Sequence, residues 1–185
     1  GQMNKVYVFL ADGFEEIEGL TVVDVLRRAE IETETVSIMG RKDVHGAHKI
    51  TVMADRLFEE TDIEEADMLV VPGGMQGTLN LKAHEGLREQ LLSFDRQKKY
   101  IGAICAAPSV LGELGILDGR KACCYPSFEE TLKGAEVVWE PAVTDGHITT
   151  GRGMGTAIPF ALKLTEVLAG AEKAAEVKAS IVYEG

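Results

Sequence analysis

Short runs of β-branched and aliphatic residues alternate along this chain with longer segments in which apolar residues return every three or four positions. That is the pattern of a mostly parallel sheet covered by helices on both faces. Val6 to Leu10 predicts the first strand. Leu20, Val23 and Leu26 predict a helix ending at Arg27, Arg28 and Ala29, with basic residues in the last turn as the helix dipole favours. Thr33 to Ile38 predicts a second strand, and His45 to Val52 a short hairpin or edge excursion, because Gly40 and Gly46 bracket a polar stretch. Met68 to Val71 predicts a buried strand stopped by Pro72, Gly73 and Gly74. Leu87, Leu91 and Phe94 share one face of the helix after it, and Tyr100 to Ile104 predicts the next strand. Beyond Cys105 the pattern predicts a helix to about Leu114, a strand over Lys121 to Tyr125, an acidic helix near Glu129 and strands around Val137 and Ile148. A helix carrying Phe160, Leu164, Val167 and Leu168 follows, then one over Ala174 to Ala179. With no repeat, low-complexity tract or long linker, one domain over residues 3–185 is expected, and Gly1 and Gln2, standing before Met3, are expected to be a vector remnant.

The 185 residues, 45% of them apolar, can fill one sizeable core. Thirty acidic residues against 19 basic ones, a net charge of −11, exclude an electrostatic footprint for nucleic acid or an anionic membrane, so small molecules or proteins are the expected partners. Three cysteines, no signal-like start and no bilayer-length apolar run predict a cytoplasmic protein with reduced thiols. Cys123 and Cys124 are adjacent; on a strand their side chains point to opposite faces, which argues against a structural disulfide.

The most informative segment for chemistry is Tyr100 to Pro108, where a strand runs into a helix with Cys105 at the junction and small residues, Ala103 and Ala107, on either side. Such a nucleophile elbow projects its side chain from the carboxyl edge of a sheet, and a helix amino terminus there is expected to lower the thiol pKa. A buried, inert core cysteine is the plainer alternative. The segment Ala11 to Glu18 leaves the first strand at the same edge. Glu15 and Glu16 read as an acidic first turn suiting the dipole, whereas Glu18, one turn further in, is expected to be partly desolvated with a raised pKa, so that beside a thiolate it keeps its proton and donates it in a hydrogen bond. Gly73 and Gly74 expose backbone N–H groups that, with the amide of Ala106, could form an oxyanion hole. The turn Gly151 to Gly155 lacks dinucleotide and phosphate-loop spacing; Thr156 reads as a helix cap, Arg152 as a cation that pairs with a carboxylate. His45, His48, His84 and His147 have no ligand partner at metal-binding spacing, so neither a metal nor an organic cofactor is expected.

Taken together, Ala-Asp-Gly-Phe-Glu-Glu-Ile-Glu at 11 to 18, Val-Pro-Gly-Gly at 71 to 74, Ala-Ile-Cys-Ala-Ala-Pro at 103 to 108 and Gly-Arg-Gly-x-Gly-Thr at 151 to 156 resemble the ThiJ/PfpI family, nearest the branch of the human parkinsonism-associated deglycase. The resemblance runs from about Lys5 to about Tyr183. It implies a flavodoxin-like three-layer sandwich, a homodimer, a reactive Cys105 hydrogen-bonded to a protonated Glu18, and oxyanion contacts from the amides of Gly74 and Ala106; Gly73, Tyr125 and Arg152 are candidates for lining the site. It also implies glutathione-independent glyoxalase or deglycase activity on a small aldehyde or a glycated compound; oxidation sensing or chaperone behaviour with little turnover is the alternative. Two departures matter. Ala106 stands where the protease-like branch has a histidine, which weakens a third reading as a cysteine amidohydrolase, and Tyr125 stands where the human branch has a histidine near the site, leaving proton transfer to Glu18.

Overall fold

The computed structural model describes residues 4–185, so the expectation for Gly1 and Gln2 lies outside the described residues. Its strands are β1 (Lys5–Leu10), β2 (Glu32–Ser37), β3 (Asp43–His45), β4 (Thr51–Met53), β5 (Arg56–Leu57), β6 (Met68–Val71), β7 (Tyr100–Ile104), β8 (Lys121–Ala122), β9 (Glu136–Val137), β10 (Ala142–Asp145) and β11 (Ile148–Gly151). The helices are α1 (Glu16–Arg28), α2 (Met75–Ala83), α3 (Glu85–Gln97), α4 (Pro108–Glu113), α5 (Ala157–Ala169) and α6 (Ala171–Ser180). Seven strands form one sheet in the order β10-β11-β7-β6-β1-β2-β5, parallel throughout except for β10.

The period-two alternation of β1 explains the layers. Val6, Val8 and Leu10 point to one face, where Val22, Val25 and Leu26 of α1, Phe160 and Leu164 of α5 and Val177 of α6 cover them. Tyr7 and Phe9 point to the other face, against Leu81 of α2, Leu87, Leu91 and Phe94 of α3 and Leu111 of α4. Both faces of the sheet are therefore buried, which is why its central strands read as continuous apolar runs. The result is the flavodoxin-like three-layer α/β sandwich expected.

Several elements differ from their sequence reading. Val23 and Leu26 are buried as expected but Leu20 is exposed; Gly19, Val22 and Val25 complete the buried stripe of α1. The predicted strand over Lys121 to Tyr125 keeps only its first two residues, and the acidic helix near Glu129 is one 3₁₀ turn, Glu129–Thr131. Helix α2 and strands β5 and β10 had no counterpart in the prediction. The hairpin does form, with β3 and β4 antiparallel.

Topology sets the location of the site. From β1 the chain crosses to β2 on one side and later enters β6 on the other, so the crevice at the carboxyl ends of β1 and β6 is the switch point where open α/β sheets bind ligands. The loop into α1 and the turn after β6 meet there, and the end of β7 lies beside them.

Candidate active site

Cys105 follows the last residue of β7 with φ of 67°. A non-glycine side chain in the left-handed region is strained by about 1 kcal/mol or more, and it persists only where its surroundings hold it. Two backbone bonds do so here: the Cys105 N–H donates to the Gly151 carbonyl at 3.0 Å, and the Cys105 carbonyl accepts from the Tyr125 N–H at 2.9 Å. The side chain is half-buried at the carboxyl edge of the sheet. The elbow geometry expected of this segment is present, but α4 begins only at Pro108, three residues on, and runs for 6 residues. The amino terminus of α4, the helix that follows the elbow, does not abut the sulfur. The groups that favour its anion are the amides of Gly74 and Ala106, which hydrogen-bond it.

Glu18 is 1% exposed, far more buried than partial desolvation implies. Its placement comes from the start of α1, where the Glu15 carboxylate caps the helix by accepting from the Glu18 N–H at 2.9 Å. The Glu18 carboxyl accepts from the Gly73 N–H at 2.9 Å and hydrogen-bonds the Cys105 thiol. Gly73 is required by this approach, since a Cβ there would lie 2.6 Å from both Cys105 Cβ and Glu18 Oε1. Gly74, at φ of 96°, turns the chain into α2 and brings its own amide to the sulfur.

Burial pushes Glu18 up to about 7, against the pull of its hydrogen bonds to Cys105 and Gly73. Burial also pushes Cys105 up to about 12, Glu18 adds to that, and the Gly74 and Ala106 amides pull back. The expected lowering of the thiol by a helix is thus corrected: desolvation of the sulfur is the larger effect. Two groups this close cannot both ionise cheaply, so the pair gives up its first proton near 7 and above that shares one negative charge and one proton. The Gly73 N–H favours the charge on oxygen, and the Gly74 and Ala106 N–H groups favour it on sulfur.

Tyr125 and Arg152 border this pair through the backbone. Tyr125 is half-exposed and adjoins Gly153 through its ring, while Arg152 follows Gly151, the acceptor for Cys105. The carboxylate partner expected for Arg152 is absent among the described residues, whose ion pairs involve other cations. Instead its guanidinium lies over the Trp139 ring at 5.4 Å from the centroid. Thr156 does sit at the start of α5, but its hydroxyl bonds Gly153 rather than capping the helix.

Glu16 is the residue that sequence reasoning misread. It is buried, and its carboxylate accepts from the His48 and Ile50 N–H groups at 2.8 and 3.2 Å while also meeting His48 Nδ1 at 2.9 Å. Three potential metal-ligand atoms of Glu15, Glu16 and His48 lie within 4.8 Å of one another, although their sequence spacing gave no sign of it. Because the Glu16 oxygens are already taken by the hairpin, we assign this group to fastening the β3-β4 hairpin onto α1.

A strained cysteine at the switch point of a parallel α/β sheet, paired with a buried acid and faced by two amides, defines an α/β protein of the nucleophile-elbow type. Residues 4–167 match the model of the DJ-1/PfpI family, and the chain belongs to that family. It is 36% identical over 180 residues to Protein DJ-1 homolog B of Arabidopsis thaliana, covering 96% of this chain but 41% of that protein, so the chain spans less than half the length of this relative. It is 30% identical over 181 residues to a Schizosaccharomyces pombe protein named glutathione-independent glyoxalase DJ-1, covering 92% of this chain and 94% of the relative. The crystal structure of Drosophila melanogaster DJ-1beta superposes with a TM-score of 0.93 at 34% identity, covering 98% of each chain.

Proposed function

We propose that this chain is a glutathione-independent, cofactor-free enzyme that converts α-oxoaldehydes to α-hydroxy acids at Cys105, with Glu18 moving the proton. The observation that carries this reading is the contact between Cys105, held at a left-handed φ, and the buried Glu18 carboxyl, beside the amides of Gly74 and Ala106. The relative named as a glyoxalase supports the same substrate class.

In the reaction we propose for methylglyoxal, the Cys105 sulfur adds to the aldehyde carbon while its proton passes to Glu18 or to the new oxygen. The hemithioacetal oxygen lies toward the Gly74 and Ala106 N–H groups, which stabilise its developing charge. Glu18 removes the proton from the former aldehyde carbon, giving an enediol, and returns it to the neighbouring carbon. A lactoyl thioester of Cys105 results, and water cleaves it to lactate and the free thiol. The sum is one methylglyoxal and one water to one lactate, with no oxidant or reductant consumed. A carboxyl held near 7 suits both halves of the transfer, because it accepts and releases a proton at neutral pH with little bias.

For a glycated amine or thiol, the Cys105 sulfur replaces the amine or thiol on the former aldehyde carbon, the displaced group leaves with a proton from the Cys105–Glu18 pair, and the same hemithioacetal results. Lactate appearance from methylglyoxal in the absence of glutathione tests the reading: Cys105→Ser and Glu18→Gln each abolish it, and activity surviving in Cys105→Ser contradicts it. We also propose that the chain forms a homodimer, supported by apolar side chains exposed on α1 (Ile17, Leu20) and on the adjoining hairpin (Ile50, Met53). Sedimentation velocity should give twice the mass of a 20.0 kDa chain, reduced to one by Ile17→Asp.

A further inference from the structure

We propose that Arg152, Trp139 and Tyr125 form an oxyanion-accepting subsite beside Cys105, selecting carbonyl compounds that carry a carboxylate or phosphate on the arm away from the reacting carbon. This rests on the reading that carbonyl compounds react at Cys105 and adds to it a class of substrate.

Position is the first argument. Arg152 is fixed by two contacts: its N–H donates to the Pro141 carbonyl at 3.1 Å and its Nε to the Cys124 carbonyl at 3.4 Å; the residue before it, Gly151, accepts from the Cys105 N–H. The residue after Cys124, Tyr125, donates to the Cys105 carbonyl. The Arg152 backbone thus adjoins one of the two residues whose backbone holds Cys105, and its Nε meets the carbonyl of the residue before the other, Tyr125.

Charge is the second. In a chain with 30 acidic residues, Arg27, Arg28, Arg41 and Arg56 each reach a carboxylate, whereas half-buried Arg152, like Arg88, Arg96 and Arg120, reaches none among the described residues; of these four it is the one that lies over a tryptophan ring. Its terminal nitrogens have no hydrogen-bond partner among those residues either; the Nε contact is the one its side chain makes. A guanidinium with its fork unoccupied matches a carboxylate or phosphate by two parallel N–H bonds.

Support from below is the third. Trp139 is 64% exposed, and the guanidinium carbon lies over its ring at 5.4 Å from the centroid, within cation–π range. Tyr125, 49% exposed, flanks the neighbouring Gly153. Large exposed aromatics at this edge gain most from a ligand that covers them while its anionic end meets the fork.

Trp139 is the only tryptophan, so its emission reports on the subsite alone. Full-length Cys105→Ser protein, which has no chemistry to complicate binding, is titrated with inorganic phosphate and with acetate at constant ionic strength, followed by fluorescence and by calorimetry. The expected result is saturable binding of at least one anion, weakened about fivefold or more in Arg152→Gln and partly restored in Arg152→Lys, in keeping with loss of a solvent-accessible guanidinium–oxyanion pair. The tighter of the two anions tells a phosphate-bearing from a carboxylate-bearing substrate. Absence of saturable binding by both methods, or binding unchanged in a folded Arg152→Gln or Arg152→Lys protein, overturns the subsite. Because turnover is not involved, failure here is separate from failure of the lactate assay.

Discussion

At the scale of the residue, Glu18 carries opposing demands of stability and chemistry. Its carboxyl is raised to about 7 in the folded chain from an ordinary 4.5, so between those values the folded state holds a proton that the unfolded state has lost. Stability therefore falls as pH rises from about 4.5 to about 7, and the difference corresponds to roughly 3 kcal/mol at pH 8 by the linkage of pKa to folding. Glu18→Gln removes that cost. Chemical denaturation should find the variant more stable than the wild type at pH 8 by up to about 3 kcal/mol, with the gap closing by pH 5. The same variant should have lost its turnover, the trade expected where a strained site serves function. Removing the neighbouring carboxylate should also let the Cys105 thiol titrate at lower pH, read as thiolate absorbance. Gly73→Ala acts through space: its Cβ would overlap Cys105 Cβ and Glu18 Oε1, so a loss of stability of about 1–3 kcal/mol and a loss of turnover of at least tenfold are expected from melting curves and initial rates.

At the scale of the element, the hairpin and α1 show what sequence can and cannot convey. The hairpin was legible from its bracketing glycines, but its fastening was not, because Glu16 reads as one more acid suited to a helix start. Only the tertiary arrangement brings His48 and Ile50 onto it. Burial pushes Glu16 up, yet the His48 hydrogen bond and the backbone N–H groups outweigh it and hold the carboxyl below 4.5, while Glu16 holds His48 above 6.5. The carboxylate's contribution is present above 4.5 and lost as pH falls through its lowered pKa; that of the imidazolium is present below 6.5 and lost as pH rises through its raised one. Amide exchange at His48 and Ile50, corrected for intrinsic rates, should be slowest between those values and faster on either side. Protection independent of pH would remove the tie. Helix α2 escaped the sequence reading for a different reason: only Gly77, Thr78 and Leu81 are buried, so it has no apolar stripe to find. Strand β5 has 2 residues and β10 has 4, too short for alternation to show.

At the scale of the whole molecule, the legible parts were those whose pattern repeats and those crowded by small residues at a strand end. Strands β1, β6 and β7 announce themselves as apolar runs, and each is followed by one of the segments that meet at the site. Their order in the sheet is what turns separate motifs at 11 to 18, 71 to 74 and 103 to 108 into one crevice. The protonation of the pair was legible only in part, because it depends on how deeply the sulfur and the carboxyl are set. Arg152 could be named but not assigned, since pairing partners are a property of the folded surface and Trp139 gave no signal of its own. The central claim is that Cys105 and Glu18 act as one unit that loses its first proton near pH 7 and shares the remaining one above it. The most direct test is the initial rate of lactate formation from methylglyoxal, without glutathione, measured from pH 5 to 9 in wild type, Cys105→Ser and Glu18→Gln. The rate should rise with pH through about 7 in the wild type, as the pair gains its charge, and stay at background in both variants. A wild-type rate equal to that of Cys105→Ser at every pH would contradict the account.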